Sequence, residues 1–171
     1  MPSGTSFTRG QNQVTAIDYY HARVHQGIMF SVDNESESLP NNGTLGLLMK
    51  TNGNEVHLLW DGENGGDARV DFYEGTTTTD DGTPKSPVAR NRNTTFVTTT
   101  EMFRDPTIDA LGTLLDSLVL PGGQGGNAGG GGGAVLLDWS LKPDTNYYLV
   151  LTNLSGQSQL AHIHIDFYED L

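Results

Sequence analysis

Histidine is the residue type with the clearest potential for chemistry in this sequence, which contains five histidines and no cysteine. His21 and His25 are four residues apart, and on a helix that spacing puts both imidazoles on one face, as in zinc sites. No glutamate stands between them where a metalloprotease would need its base. The valine, isoleucine and phenylalanine pattern around them favours a strand, so we do not predict a zinc site at this pair.

His162 and His164 share one face of a predicted strand, and His57 lies on another strand from which it could approach them. Together these three are the candidate metal ligands. The alternative is that the histidines are hydrogen-bonded or face solvent, and it is the one we expect. The predictions are therefore no bound metal and no cofactor.

Motifs of other catalytic classes do not occur in the sequence. It has no Gly-x-Ser-x-Gly elbow, no phosphate-binding loop and no cysteine nucleophile. The glycines at 122–126 do not lie between a parallel strand and a helix, so they do not form a nucleotide-binding turn. We predict a protein that is not an enzyme.

The elements that position the histidines are predicted to be strands. Residues 135–141, 147–153 and 159–168 are β-branched, aromatic or alternating, with turn residues between them, which predicts an antiparallel meander. In the last run, polar and apolar residues alternate with the period of a half-buried strand. Its predicted buried face consists of Ala161, Ile163, Ile165 and Phe167.

A short sequence repeat links the two halves of the chain. VDFYE at 70–74 recurs as IDFYE at 165–169. We predict a hairpin that consists of the apolar run at 56–60, the Gly-rich turn after it and residues 69–74. Two similar hairpins predict two facing sheets, and the alternative is coincidental strand composition.

The rest of the chain is also predicted to be mainly extended. We predict strands at 24–32, with Gly27 as a bulge, and at 44–51, followed by a hairpin turn at 52–54 and a pairing strand at 55–60. We predict an exposed loop at residues 75–87 and a Thr-rich strand at residues 94–102.

Residues 105–120 are the one stretch with a helical pattern. Asp105 and Pro106 resemble an N-cap followed by proline at the first helical position. Apolar residues keep helical spacing after them, although Gly112 interrupts the pattern and 113–120 also suits a strand. We predict a helical turn followed by a strand.

Length and composition predict an all-β, single-domain antiparallel β-sandwich, jelly-roll-like, with a long glycine-rich surface loop. The sandwich is expected to span residues 14–171. Residues 1–13 are polar and predict a flexible or partner-bound arm. The loop at 121–133 contains Gly129 and Gly130 and is flexible enough to drape over a neighbouring molecule.

The net charge of −12 argues against nucleic acid or an anionic membrane as a partner. Asp provides 14 of the 21 acidic residues and Lys only 3 of the 9 basic ones. Such a surface is typical of proteins from salt-loving organisms, where salt screens the repulsion between carboxylates. An ordinary acidic surface is the alternative.

Four polar residues, Arg90, Asn91, Arg92 and Asn93, are the candidate interaction residues. The two guanidinium groups have donors that suit carboxylates on a neighbouring acidic subunit. The alternative is a pair of solvated charges.

Four aromatic residues are predicted to be structural. Phe167 and Tyr168 should lock the last strand in place. Trp60 and Trp139 lie in predicted strands among aliphatic residues, which favours core packing. If the tryptophans were instead exposed, they would indicate a carbohydrate-binding module.

These motifs together resemble a family of virion proteins. The chain is similar to small head-associated proteins of tailed phages and related archaeal tailed viruses. The similarity lies in AIDYYHARVHQGIMFSV, RNRNTTF, the glycine-rich loop, and WSLKPDTNYYLVLTNLSGQ followed by FYE. The most specific marks are His25-x-Gly27, Asn91-Arg92-Asn93 and Phe167-Tyr168-Glu169. The long glycine tract and the Asp-rich surface depart from this family.

The resemblance implies a decoration, cement or turret component with a β-sandwich or jelly-roll fold. Its expected location is the capsid surface of the virion, after synthesis in the cytoplasm of a host that the Asp-rich composition suggests is halophilic. Its expected partners are the major capsid protein and copies of itself, as a trimer or a ring at a symmetry axis. The competing interpretation is a β-sandwich module that binds carbohydrate or a host receptor.

Overall fold

The structure, a computed structural model, describes residues 19–122 and 139–170. The predicted arm at 1–13 lies outside the described residues, as do Gly129 and Gly130. The described part contains one helix, α1 (Tyr19–Gln26), and is otherwise built from strands. They are β1 (Met29–Leu39), β2 (Thr44–Lys50), β3 (Glu55–Asn64), β4 (Ala68–Glu74), β5 (Thr77–Asp80), β6 (Thr83–Pro84), β7 (Val88–Ala89), β8 (Glu101–Arg104), β9 (Thr107–Ala110), β10 (Thr113–Leu120), β11 (Trp139–Leu141), β12 (Asn146–Asn153) and β13 (Gln159–Asp170).

The strands form two antiparallel sheets that face each other across one main core. Sheet A has the order β11-β3-β13-β1-β7, and sheet B has the order β10-β4-β12-β2-β8-β6. A separate two-stranded piece joins β5 to β9. The two copies of the DFYE sequence lie in opposite sheets, one in β4 and one in β13. The predictions of an all-β sandwich and of two facing sheets are confirmed.

Alternation along each strand builds the core, because every second side chain of both sheets points between them. On β13, the four residues of the predicted inner face are at most 1% exposed. Aromatic rings from both sheets fill the centre: Phe167 stacks on Phe30 with centroids 5.5 Å apart, and Phe72 stacks on Tyr147 at 5.8 Å. Each of these pairs lies within one sheet, and Phe72 of sheet B also meets Trp60 of sheet A with centroids 6.5 Å apart. Such large rings contribute much of the buried apolar area.

The predicted meander at the end of the chain is wrong. β11 and β13 both pair with β3 in sheet A, whereas β12 pairs with β2 and β4 in sheet B. Successive strands therefore cross the sandwich. Asn153 is fully buried at one crossing, where its Nδ2 donates to the carbonyl oxygens of Leu39 and Gln157, both at 2.8 Å. Alternation determines which face of a strand is buried, but it leaves open which strand lies beside it.

The hairpins predicted around the turn at 52–54 and around the Gly-rich turn after 56–60 are also wrong, again because alternation does not determine which strands pair. The turn at 52–54 connects β2 of sheet B to β3 of sheet A, and the Gly-rich turn after β3 connects it to β4 of sheet B. Asn, Gly and Asp favour tight turns, but such turns serve a crossing between sheets as well as a hairpin.

The predicted helical turn after Asp105 is wrong as well, because this stretch forms β9 and β10. The β10–β4 ladder has a bulge between Leu114 and Asp116. Leu115 and Leu118 both pack against the core although they are three residues apart. A bulge shifts the alternation of a strand by one residue. Core residues of this strand can therefore be three positions apart in the sequence, as they would be on a helix.

Gly112, between β9 and β10, has φ +83°, and a Cβ at this position would overlap the carbonyl oxygen of Glu74. We expect Gly112→Ala to lower the free energy of unfolding by about 2–3 kcal/mol, because the strain of a left-handed residue adds to the overlap. Gly53 is the matched control, since its φ is +70° but nothing lies within 4 Å of its Cβ position. Gly53→Ala should lower the free energy of unfolding by only about 1 kcal/mol. Equal losses in urea titrations of the two variants would contradict this explanation.

The first described element also differs from the prediction. Residues 24–26 belong to α1, and the strand begins only at Met29. Gly27 has φ +79° and its N–H donates to the carbonyl oxygen of Val24 at 3.0 Å, so it ends the helix and does not form a bulge. Within residues 19–122 and 139–170, no helix has the length and apolarity to cross a membrane.

Two loop predictions need correction. In the Thr-rich stretch 94–102, only Glu101 and Met102 join a strand, β8, and residues 94–100 have no regular secondary structure. The stretch 75–87, predicted to be an exposed loop, contains the short strands β5 and β6, which pair with β9 and β8, and Thr76 in it is buried. The prediction of a strand at 44–51 is confirmed by β2.

Candidate functional site

The outer face of sheet A collects most of the polar residues that the sequence singled out. Each of two histidines on β13 stands between a carboxylate residue of β1 and one of β3 in the strand register. The two rows are Glu35, His162 and Glu63, then Asp33, His164 and Asp61. This face is therefore an array of carboxylates with imidazoles along its middle strand.

Asp166 is the centre of a hydrogen-bond network on this face. It accepts from His164 Nε2 at 3.0 Å, from the Ser31 hydroxyl at 2.5 Å and from Arg90 Nη2 at 2.5–2.6 Å. Burial acts to raise the pKa of Asp166, but the hydrogen bonds from His164 and Ser31 and the charges of His164 and Arg90 outweigh burial and lower it. The hydrogen bond to Asp166 is the main reason that the pKa of His164 is raised.

The structure does not bring the three candidate metal ligands together. His162 and His164 are neighbours, with ring centroids 6.0 Å apart. His57 pairs with Tyr168, which places it four residues, or about 13 Å, along the ladder from His164. Its ring stacks on Tyr168 at 4.7 Å. Across the part of the chain that the structure describes, no three His, Cys, Asp or Glu side chains are grouped as a metal site would require.

The four candidate interaction residues have different surroundings. Arg90 is held by Asp166 of its own chain, as described above. Asn91 accepts from the Asn93 backbone at 3.0 Å and donates to the carbonyl oxygen of His25 at 3.3 Å, which ties this loop to the end of α1. Arg92 and Asn93 are exposed, and Arg92 donates to the carbonyl oxygen of Ala89 at 3.4 Å. Arg90 is exposed as well, with 41% of its side chain accessible, but its guanidinium is engaged by Asp166.

The four structural aromatics lie in or against the protein interior. Trp60 is 2% exposed, and Trp139 is partly buried with its ring edge-on to Phe72 at 5.8 Å. Phe167 is 0% exposed in the main core. Tyr168 points to the outer side of sheet A, where α1 covers it: Tyr19 contacts its ring at 5.8 Å and the Arg23 guanidinium lies 4.9 Å above it. Neither tryptophan forms an open platform for a sugar ring.

Glu169, the last residue of the second DFYE copy, has a role that the sequence analysis missed. It is 0% exposed and binds the Thr-rich stretch through its carboxylate. It accepts from the Thr98 hydroxyl, from the Thr99 backbone at 3.0 Å, and from the backbone and hydroxyl of Thr100 at 2.8 and 2.7 Å. Burial acts to raise the pKa of Glu169, but these hydrogen bonds outweigh burial and lower it.

Glu74, at the same position in the first copy, also binds another segment. It accepts from Lys142 Nζ at 2.7 Å and from the Tyr147 hydroxyl at 3.0 Å. The hydrogen bond from Lys142 is the main reason that the pKa of Glu74 is lowered. Each glutamate ends one copy of the DFYE repeat. This shared position was the signal in the sequence from which their similar roles could have been inferred.

A groove of about 320 Å³ lies on the outer face of sheet B, which we call the sheet B groove. Tyr73, Tyr148 and Ile108 supply its apolar surface, and Arg69 and Asp71 supply charge. Asp71 accepts from Arg69 Nε at 2.9 Å and from the Ser117 hydroxyl at 2.6 Å. Burial raises the pKa of Tyr148 to about 12. Aromatic rings beside a carboxylate and a guanidinium are suited to a polar ligand with apolar faces.

Comparison with protein-family models, with curated proteins and with solved structures finds no match to this chain.

Proposed function

We propose that this chain is a virion structural protein that decorates and stabilises the capsid of a tailed virus, as a cement or turret component, and that it performs no catalysis. Its partners in this proposal are the major capsid protein and copies of itself, arranged as a trimer or ring at a symmetry axis. The virus would infect a halophilic host.

The strand order is the observation that carries the proposal. We infer that the strands β1-β13-β3-β11 of sheet A and β2-β12-β4-β10 of sheet B have the connectivity of a jelly roll, because the chain crosses repeatedly from one of these sets of four strands to the other. Jelly rolls occur in viral capsid proteins and in lectins. A fold alone does not assign a function, so the choice of a virion role also uses the family resemblance carried by residues 25–27, 91–93 and 167–169.

Strand β10 supplies a surface for binding repeated copies. Among the described strands it lies at one edge of sheet B, and Leu114 and Val119 are 50% and 67% exposed on it. An edge strand offers unpaired backbone groups, and exposed aliphatic residues beside them add apolar area to a contact. In the proposal this edge contacts the capsid or a second copy.

Salt is expected to strengthen self-association. The net charge of −12 makes copies repel each other, and repulsion between exposed charges extends about 10 Å at 0.1 M salt but only about 3 Å at 1 M. Arg90 is already engaged with Asp166 of its own chain, so it is a poor source of attraction between copies. Sedimentation velocity from 0.1 to 2 M NaCl should show larger species as salt rises. A steady loss of assembly would instead indicate oppositely charged contacts between copies.

Val119→Asp should abolish this association, because it places a charge on the exposed part of β10. Leu160→Asp is the matched control, since Leu160 is 61% exposed on β13 of sheet A. Equal sedimentation of Val119→Asp and the unmodified chain in high salt would exclude β10 as the contact. Copurification of the chain with virus particles tests the location itself.

The sheet B groove favours one second candidate, a module that binds a glycan of a host receptor. Sugars stack on aromatic rings and accept hydrogen bonds from side chains such as Arg69. Isothermal titration with common monosaccharides and disaccharides tests this role, with Tyr73→Ala as the variant that should lose binding. Heats that are unchanged by Tyr73→Ala would exclude the groove as a glycan site.

A further inference from the structure

We propose that His21 and His25 chelate a divalent transition-metal ion on the exposed side of α1, with Cu²⁺ and Ni²⁺ bound more tightly than Zn²⁺. The inference concerns a site separate from β10 and the sheet B groove, and it does not depend on the virion role. It follows from the helix that the structure has where the sequence pattern indicated a strand.

The two imidazoles are close enough for one ion to bind both of them. On α1 the four-residue spacing places them on consecutive turns, and their Nε2 atoms share a hydrogen bond of 2.8 Å, which an ion bound by both nitrogens would replace. The ring centroids lie 4.5 Å apart with the planes at 71°. Both side chains are exposed, so an ion can reach them from solvent.

The separation of the nitrogens favours some metals over others. An ion about 2.0–2.1 Å from each Nε2 would bind them at an angle of about 90°, whereas a tetrahedral zinc ion would need them about 3.3 Å apart. An angle near 90° is that of neighbouring ligands in the square-planar and octahedral geometries that Cu²⁺ and Ni²⁺ adopt. The general affinity order for nitrogen ligands also places Cu²⁺ first.

The helix that carries the pair is fixed to the sandwich. Tyr20 and Val24 pack against the cluster of Ile28, Met29 and Tyr168. Arg23 forms an ion pair with Asp170 at 3.0 Å. Because these contacts hold the helix in place, little backbone freedom remains to be lost when the ion binds.

The described residues supply two ligands, since no group of three metal-binding side chains is found among them. Water would then occupy the remaining positions around the ion. The negative net charge of the chain raises the local concentration of cations and so assists binding.

Titration calorimetry of the full chain with CuCl₂, NiCl₂ and ZnCl₂ tests the proposal. We expect His25→Ala to weaken Cu²⁺ binding at least tenfold, because the second imidazole of a chelate binds at a high effective concentration. The double variant His25→Ala/Gln26→His keeps five histidines but moves one away from His21, and it should be equally weak. His162→Ala should retain the affinity of the unmodified chain.

Two results would overturn the proposal: Cu²⁺ affinity in the double variant within twofold of the unmodified chain, or an electron paramagnetic resonance spectrum of the unmodified copper-loaded chain without nitrogen coupling from two imidazoles. The spectrum uses the unmodified protein, so it decides the question even if a variant folds poorly. Far-ultraviolet circular dichroism checks the folding of each variant.

Discussion

Phe167→Ala is expected to lower the free energy of unfolding by about 3–5 kcal/mol, which is a large part of the stability of a typical domain. Phe167 is fully buried in β13, which lies between β1 and β3 in sheet A. Its ring stacks on Phe30. Alanine would leave a cavity at this position, and the strands on both sides limit how far the core can collapse into it. Urea titration followed by tryptophan fluorescence measures the loss.

Leu160→Ala is the control for this variant, because Leu160 lies on the same strand but is 61% exposed. It should change the free energy of unfolding by no more than about 0.5 kcal/mol. If Phe167→Ala were as stable as this control, the last strand would not be central to the fold.

Glu169→Gln is expected to lower the free energy of unfolding by about 3 kcal/mol, because it removes a buried negative charge to which several donors are hydrogen-bonded. Hydrogen bonds to a charged group stabilise more than neutral ones, and an amide in this position would direct its own N–H₂ toward donors of Thr99 and Thr100. The stretch 98–100 should detach from β13 in this variant. Hydrogen exchange of the Thr99 and Thr100 backbone amides would then become faster.

Acid should remove the contribution of Glu169 in a defined direction. Because the folded state holds the pKa of Glu169 below its ordinary value of 4.5, the carboxylate stabilises the fold above about pH 4.5. That contribution is lost as the pH falls through the lowered pKa. Glu169→Gln should therefore lose less stability than the unmodified chain between about pH 5 and pH 3. Glu63→Gln, at an exposed position on sheet A, should behave like the unmodified chain.

The sequence was sufficient to predict the class of fold and much of its buried face. The alternation at 159–168 identified the core residues of β13. Two facing sheets were also predicted, but from two hairpins that the structure does not contain. It could not predict the neighbours of each strand, because hydrophobic alternation is the same for a hairpin and for a crossing between sheets. The bulge at Leu115 likewise produced a helical spacing inside a strand.

The surfaces were less predictable, because they depend on residues that are distant in the sequence. Arg90 meets Asp166 across 76 positions, and Glu169 meets Thr98 across 71. The helical spacing of His21 and His25 was visible, but the local composition favoured a strand. The helix forms where Tyr19 and Tyr20 pack on Tyr168, a tertiary contact that local propensity does not contain.

A role on the capsid surface can be tested by cryo-electron microscopy of virus particles purified from the source of this chain, together with mass spectrometry of their proteins. If the chain decorates the capsid, we expect it in a fixed ratio to the major capsid protein. Density for two facing antiparallel sheets should also lie on the outside of the head at symmetry-related positions. Intact particles that lack both the chain and this density would rule out the proposed role.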